Sequence, residues 1–187
     1  MDKDKAIDRV AELIENDFEL VGSTAIEDKL QEDVGKTIKD IKEAGVQVWV
    51  LTGDKVETAI SIGFSCELLN QEMNLFICQA TSKKNIRVEL MELAKQQSLT
   101  YKARANAVIV AGETLAVIQS EPTTLQKEFL DLCERANVVL ACRVSPKQKA
   151  EVVTMMRDRN PGKSTLAIGD GANDVNMITA AHIGIGI

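Results

Sequence analysis

Near its C-terminus the chain reads Thr165-Leu-Ala-Ile-Gly-Asp-Gly-Ala-Asn-Asp174: a short apolar run that ends in Gly-Asp-Gly, with a second aspartate four residues after the first. A run this short and without polar alternation fits a strand of a parallel sheet, buried on both faces. It hands over to a loop holding two carboxylates, which can gather around one hard cation. Mg²⁺ takes oxygen ligands, keeps several waters and usually sits beside phosphate. Glycine lets the backbone turn sharply and approach a phosphate closely. The segment therefore points to metal-dependent phosphoryl chemistry, with a Gly-rich turn closed by an Asx cap as the plain alternative.

The rest of the chain alternates in the same manner. Helical spacing is predicted over 5–16, over 31–44 with a stop at Gly45, over 55–69 and over 84–98. Strands are predicted over 18–26, 46–51, 138–142 and 165–168, with another from 183 to the end. Segments 106–111 and 114–118 flank Gly112-Glu113 and suggest a hairpin. Thr123-x-x-Gln126 and Ser145-Pro146-x-Gln148 read as capping boxes, the second opening a helix that runs to about Arg159; a further helix is predicted over 172–181. Strands alternating with helices of this length imply βαβ units. The expected fold is α/β: a Rossmann-like, mostly parallel sheet with helices on both faces, in one domain spanning 1–187.

Composition narrows the function. Aromatic residues make up only 3% of the chain, so the core must be aliphatic. The net charge of −6 and the lack of a basic stripe argue against a nucleic-acid partner. No apolar run approaches the roughly 18–20 residues needed to cross a bilayer, and the charged N-terminus carries no signal-peptide core; the chain reads as cytosolic in character. Cys66, Cys78, Cys133 and Cys142 form no Cys-x-x-Cys pair and read as reduced core thiols. His182 is the only histidine, so no His-centred metal site or Ser-His relay can be built.

Open parallel sheets bind ligands beyond the carboxyl ends of their strands, and three segments lie at such ends. Thr52-Gly53-Asp54 follows the strand 46–51. Its hydroxyl and backbone N–H groups can hold phosphate oxygens beside a helix N-terminus, and equally can serve as a simple N-cap. Arg143-Val-Ser-Pro-Lys-Gln-Lys149 follows the strand 138–142. Lys149 lies in the first turn of its helix, where the helix dipole disfavours a cation and an anion partner would explain it; Lys147 competes as a solvated surface charge. Arg143 can pair with a carboxylate or reach a ligand. In the third segment Asp170 ends its strand, Asp174 begins the next helix, and Asn173 can donate to a phosphate oxygen.

In this order the three segments resemble the haloacid dehalogenase-like superfamily. Thr52-Gly-Asp54, Ser145-Pro-x-x-Lys149 and Gly169-Asp-Gly-Ala-Asn-Asp174 are similar to the phosphorylation domain of P-type ATPases. Ala25-Ile-Glu-Asp-Lys-Leu-Gln31, Trp49-Val-Leu-Thr-Gly-Asp-Lys55 and Cys142-Arg-Val-Ser-Pro-x-Gln-Lys-Ala-Glu-Val153 resemble its phospholipid-flippase branch. The resemblance covers essentially the whole chain, most weakly over about 70–125.

It implies roles. Asp170 would bind Mg²⁺, and Asp174 would help hold the metal and the phosphoryl group. Lys149 would neutralise the transferred phosphoryl group, Thr52 and Gly53 would hydrogen-bond its oxygens, and Asp54 would lie beside the phosphates of ATP. Arg143 would reach the nucleotide, Asn173 would support the phosphate site, and Asp28 would sit at a hinge into a nucleotide-binding domain. The family's nucleophile is an aspartate in an Asp-Lys-Thr-Gly-Thr string. Asp2, Asp4, Asp28 and Asp54 are each followed by Lys, but none by Lys-Thr-Gly, so the nucleophile and its strand are expected to be missing.

The implied whole is an ATP-driven phospholipid flippase. Its nucleotide-binding and actuator domains, its membrane helices and any accessory subunit would lie elsewhere, and this stretch would be a cytosolic portion of an integral membrane protein, inactive by itself. A stand-alone phosphatase of the same superfamily and a non-catalytic Mg²⁺- or nucleotide-binding module are the competing readings. With its central strand missing, either strands 46–51 and 165–169 pair directly, another segment or copy fills the slot, or the chain is prone to aggregate.

Overall fold

Two apolar runs, Asn106–Ala111 and Val138–Cys142, are the most deeply buried stretches of the molecule. The computed structural model, which describes residues 3–25, 29–100, 104–120 and 124–187, aligns them in parallel from Ala107 opposite Val138 to Ala111 opposite Cys142. The elements in chain order are α1 (Lys3–Ile14), α2 (Val34–Glu43), β1 (Val48–Leu51), α3 (Val56–Ser65), β2 (Asn74–Cys78), α4 (Lys83–Thr100), β3 (Asn106–Ala111) and α5 (Gly112–Ser120). They continue with α6 (Thr124–Glu134), β4 (Val138–Cys142), α7 (Pro146–Arg159), β5 (Leu166–Gly169), α8 (Val175–Ala180) and β6 (Ile183–Gly186).

One four-stranded sheet runs in the order β1-β4-β3-β2, and β5-β6 form a second, two-stranded sheet. Every pairing is parallel. Side chains alternate between the two faces of a strand, and the large sheet uses both. Val108, Val110, Val139 and Ala141 face one cluster with Leu115, Phe129, Val152 and Met155, beneath α4 to α7. Ala107, Ile109, Val138, Leu140 and Cys142 face the other, beneath α2 and α3. Each fully buried aliphatic side chain there contributes about 1.5–3 kcal/mol. This is the predicted Rossmann-like α/β arrangement. All four cysteines are buried and unbridged; burial pushes the Cys133 thiol well up and the Cys78 thiol up to about 12.

Several expectations need correcting. Residues 18–25 form no strand, and Ile26, the last residue of that predicted strand, lies outside the described residues. Their apolar side chains have nothing to pair with: Leu20 is 91% and Val21 97% exposed. No residue from 6 to 25 is buried, although α1 has the predicted helical spacing. The hairpin around Gly112 does not exist. Its first arm is β3, and Gly112 opens α5, which buries Leu115 and Ile118 at helical spacing. The β-branched residues suggested a strand, but tertiary burial at a 3–4 spacing decides for a helix. The sequence reading also passed over β2, which forms an edge of the large sheet. The predicted helix over 172–181 shrinks to α8, and that over 55–69 to α3. Thr123 and Asp28 lie outside the described residues.

β1 and β5 do not pair with each other, which excludes direct closure of the sheet. The second sheet attaches instead through helices, with α8 lying against α7, β5 and β6.

Candidate active site

Parallel order carries the C-terminal ends of β1 and β4 to the same edge of the large sheet, and the two loops that follow are stitched together. Thr52 N–H donates to Ala141 C=O (2.9 Å), Val144 N–H to Thr52 C=O (3.1 Å) and Arg143 N–H to Asp54 C=O (2.9 Å). Within its own loop the Thr52 hydroxyl donates to Asp54 Oδ2 at 2.9 Å and accepts the Asp54 N–H at 3.1 Å. This closed turn holds Gly53 and Asp54 at the surface. Arg143 takes a left-handed backbone conformation, φ 54°, unfavourable for a residue with a Cβ. The bend turns the chain away from β4 and into α7.

The start of α7 is capped as predicted. The Ser145 hydroxyl accepts the Gln148 N–H (3.3 Å), and Gln148 Oε1 accepts the Ser145 N–H (2.9 Å). With Pro146 in the first helical position, the helical phase separates the two competing lysines. Lys147 points to solvent and meets only Glu151, at 3.5 Å. Lys149 is 6% exposed, and its ammonium donates to Asp174 Oδ1 at 2.7 Å. Asp174 is itself 5% exposed. The pair joins α7 to the loop after β5, and so brings Lys149, Asp170, Asn173 and Asp174 into one neighbourhood.

The glycines of that loop make room for neighbouring side chains. Among the described residues only Gly45 among glycines has a positive φ, so Gly169 and Gly171 are not there for a left-handed turn. They are there for space. A Cβ on Gly169 would lie 2.4 Å from Asp174 Cβ, and one on Gly171 2.3 Å from Asn173 Oδ1. The missing side chains admit the two polar groups that fold back over the loop.

The Lys149 hydrogen bond is the main cause that holds the Asp174 carboxyl below its ordinary range; burial opposes it, and the Lys149 charge and the N–H groups of Gly171 and Asp170 assist. A depressed carboxyl stabilises the fold above its unfolded pKa, near 3.8, and that contribution is lost as pH falls through the lower folded value. Urea midpoints should therefore drop more steeply from neutral pH to pH values below 4 in the unaltered chain than in Asp174→Asn; equal slopes would contradict the coupling. Cys142, at the end of β4, is pushed up to about 11 by burial and by the Asp54 and Glu57 carboxylates. It stays a neutral thiol and offers no competing nucleophile.

The donor set is all oxygen. Asp170 is exposed at the strand end, while Asp174 already spends Oδ1 on Lys149. Among the described residues no three carboxylate, thiolate or imidazole groups form a metal cage. Two carboxylates without a cage fit Mg²⁺, which keeps most of its waters and shares its remaining sites with a phosphate. They do not fit zinc, which asks for nitrogen or sulfur.

The profile of the haloacid dehalogenase-like hydrolase family matches residues 2–182. The chain belongs to that family. It is also similar over nearly its whole length to phospholipid-transporting ATPases. It is 45% identical to the phospholipid-transporting ATPase DRS2 of Saccharomyces cerevisiae over 97% of this chain and 13% of that protein. It is 42% identical to the phospholipid-transporting ATPase DNF1 of Chaetomium thermophilum over 99% of this chain and 13% of that protein. It is 41% identical to the probable phospholipid-transporting ATPase 7 of Arabidopsis thaliana over all of this chain and 16% of that protein. This haloacid dehalogenase-like chain thus spans less than a fifth of the length of those relatives. Among its described residues no helix is long and apolar enough to cross a membrane.

Proposed function

We propose that residues 1–187 are the C-terminal part of the phosphorylation domain of an ATP-driven phospholipid flippase, on its cytosolic side. The observation that carries this reading is the buried Lys149–Asp174 pair, 2.7 Å long, at the loop ends of a parallel α/β sheet. Phosphoryl transfer spreads negative charge over the transferring oxygens, so catalysis is mostly positioning and electrostatics. Lys149 supplies the fixed cation. Thr52 offers its hydroxyl and Gly53 its backbone N–H to the phosphoryl oxygens, and Asn173 adds a donor from the opposite loop. Arg143 and Asp54, both exposed, reach toward the nucleotide. Asp170 and Asp174 would hold Mg²⁺, which when bound neutralises phosphate charge. The acceptor is an aspartate outside this stretch. The chain alone therefore binds Mg²⁺ weakly and forms no phosphoenzyme, and phospholipid movement is the work of the intact protein.

Hydrogen exchange read by mass spectrometry at low micromolar protein tests the metal assignment. MgCl₂ should slow exchange first in peptides covering 169–175, and Asp170→Asn should abolish the effect. Protection confined to another acidic region, such as α2, would refute it.

A further inference from the structure

We infer that Gln148 is a positioning residue for Lys149, and that it works through the carbonyl of Gly112. This rests on the phosphoryl-transfer reading above. A capping box needs only the Gln148 Oε1 bond to Ser145 N–H. Here the other end of the amide is also used: Nε2 donates to the Gly112 carbonyl at 2.7 Å. Gly112 begins α5, directly after β3, so the side chain bridges the β3–α5 junction and the first turn of α7. A second, longer bond links the same two helices in the opposite sense, Gln119 Nε2 on α5 donating to the Gln148 carbonyl at 3.4 Å.

Gly112 contributes a second, independent constraint. A Cβ there would lie 2.2 Å from the Arg143 carbonyl oxygen and 2.9 Å from its carbonyl carbon. Both are backbone atoms, so nothing flexible can yield. The β3–α5 junction thus presses on the left-handed Arg143 from one side while Gln148 holds the next turn from the other. Lys149 follows immediately, and its ammonium has a single buried carboxylate to meet. A small rotation of α7 would swing that ammonium off the phosphoryl position, and misplacements of about 1 Å cost on the order of a hundredfold in rate. Gln148 touches none of the reacting groups; it sets where Lys149 stands.

The test uses a full-length ATPase carrying this sequence, with phosphoenzyme formation measured against ATP concentration and the thermal midpoint recorded for each variant. Lys149→Ala is the control for the underlying reading: full phosphoenzyme formation in it would overturn the site itself. With that control abolished, Gln148→Leu should lower the maximal rate by about tenfold or more, with the KM for ATP within about threefold, at an assay temperature well below the variant's own thermal midpoint. Gln148→Glu keeps the bond to Ser145 but sets a carboxylate against the Gly112 carbonyl, and should lose at least as much. Gly112→Ala should reproduce the loss from the other side of the bridge. A maximal rate near normal in Gln148→Leu would overturn the proposal. So would a loss confined to KM, or one that merely follows a lowered thermal midpoint.

Discussion

In a full-length ATPase carrying this sequence, Lys149→Ala and Asp170→Asn each lower phosphoenzyme formation by about a hundredfold or more, the usual cost of removing one fixed charge from such a site. Lys147→Ala leaves it within about twofold, because an exposed ion pair is worth little. The two lysines are two residues apart in sequence, which places them on opposite faces of α7. Lys149 is buried against Asp174, whereas the Lys147 side chain is 85% exposed and meets only Glu151. Acid-quenched labelling with radioactive ATP measures all three. Equal losses from both lysines would show that helical phase does not select the catalytic cation. Asp170 is separable from Asp174, since the latter also serves the buried pair and its loss disturbs folding.

The second large effect concerns association. The 187-residue chain, purified alone, is expected to form dimers or larger species at micromolar concentration. Among the described residues β1 pairs only with β4, and β5 only with β6, so each presents an open row of backbone donors and acceptors. Open edges of this kind recruit other chains. The small sheet adds an apolar face: Leu166 lies opposite Ile183 and Ile168 opposite Ile185, and all four are more than 40% exposed. Strands of parallel sheets are normally covered on both faces. Light scattering coupled to size exclusion, across a concentration series, gives the mass. Ile168→Lys should shift the population toward monomer. A chain that stays monomeric at high concentration, with or without the lysine, would remove the premise that these edges are adhesive.

What could be read from the sequence followed the physics of burial. The runs 138–142 and 165–168 carry no polar alternation, and the helices around them keep a 3–4 spacing, so the parallel α/β class was visible. The different settings of Lys149 and Lys147 were visible too, because Pro146 sets the helical phase; the burial of Lys149 against Asp174 follows it. Gly112 was misread as a hairpin turn because its neighbours are β-branched and its true constraint, the Arg143 carbonyl, lies 31 residues away in sequence. The Gln148 bridge was only half legible: the capping box announces its local bond, while the bond to Gly112 exists only once β3 and β4 stand side by side. Residues 18–25 look like a strand because they are apolar. A strand also needs a partner, and no described segment offers one.

The attachment of the β5–β6 leaf has a mechanical consequence. The leaf is tied to the main sheet by α8 against α7, by Arg157 donating to the Ala180 carbonyl, and by Lys149 holding Asp174. None of these ties belongs to a strand ladder. The separation of Asp170 from Thr52 is therefore a soft coordinate. Rolling α8 over α7 would change it without breaking any backbone bond within either sheet, and the Lys149–Asp174 contact is the tie that such a motion would strain first.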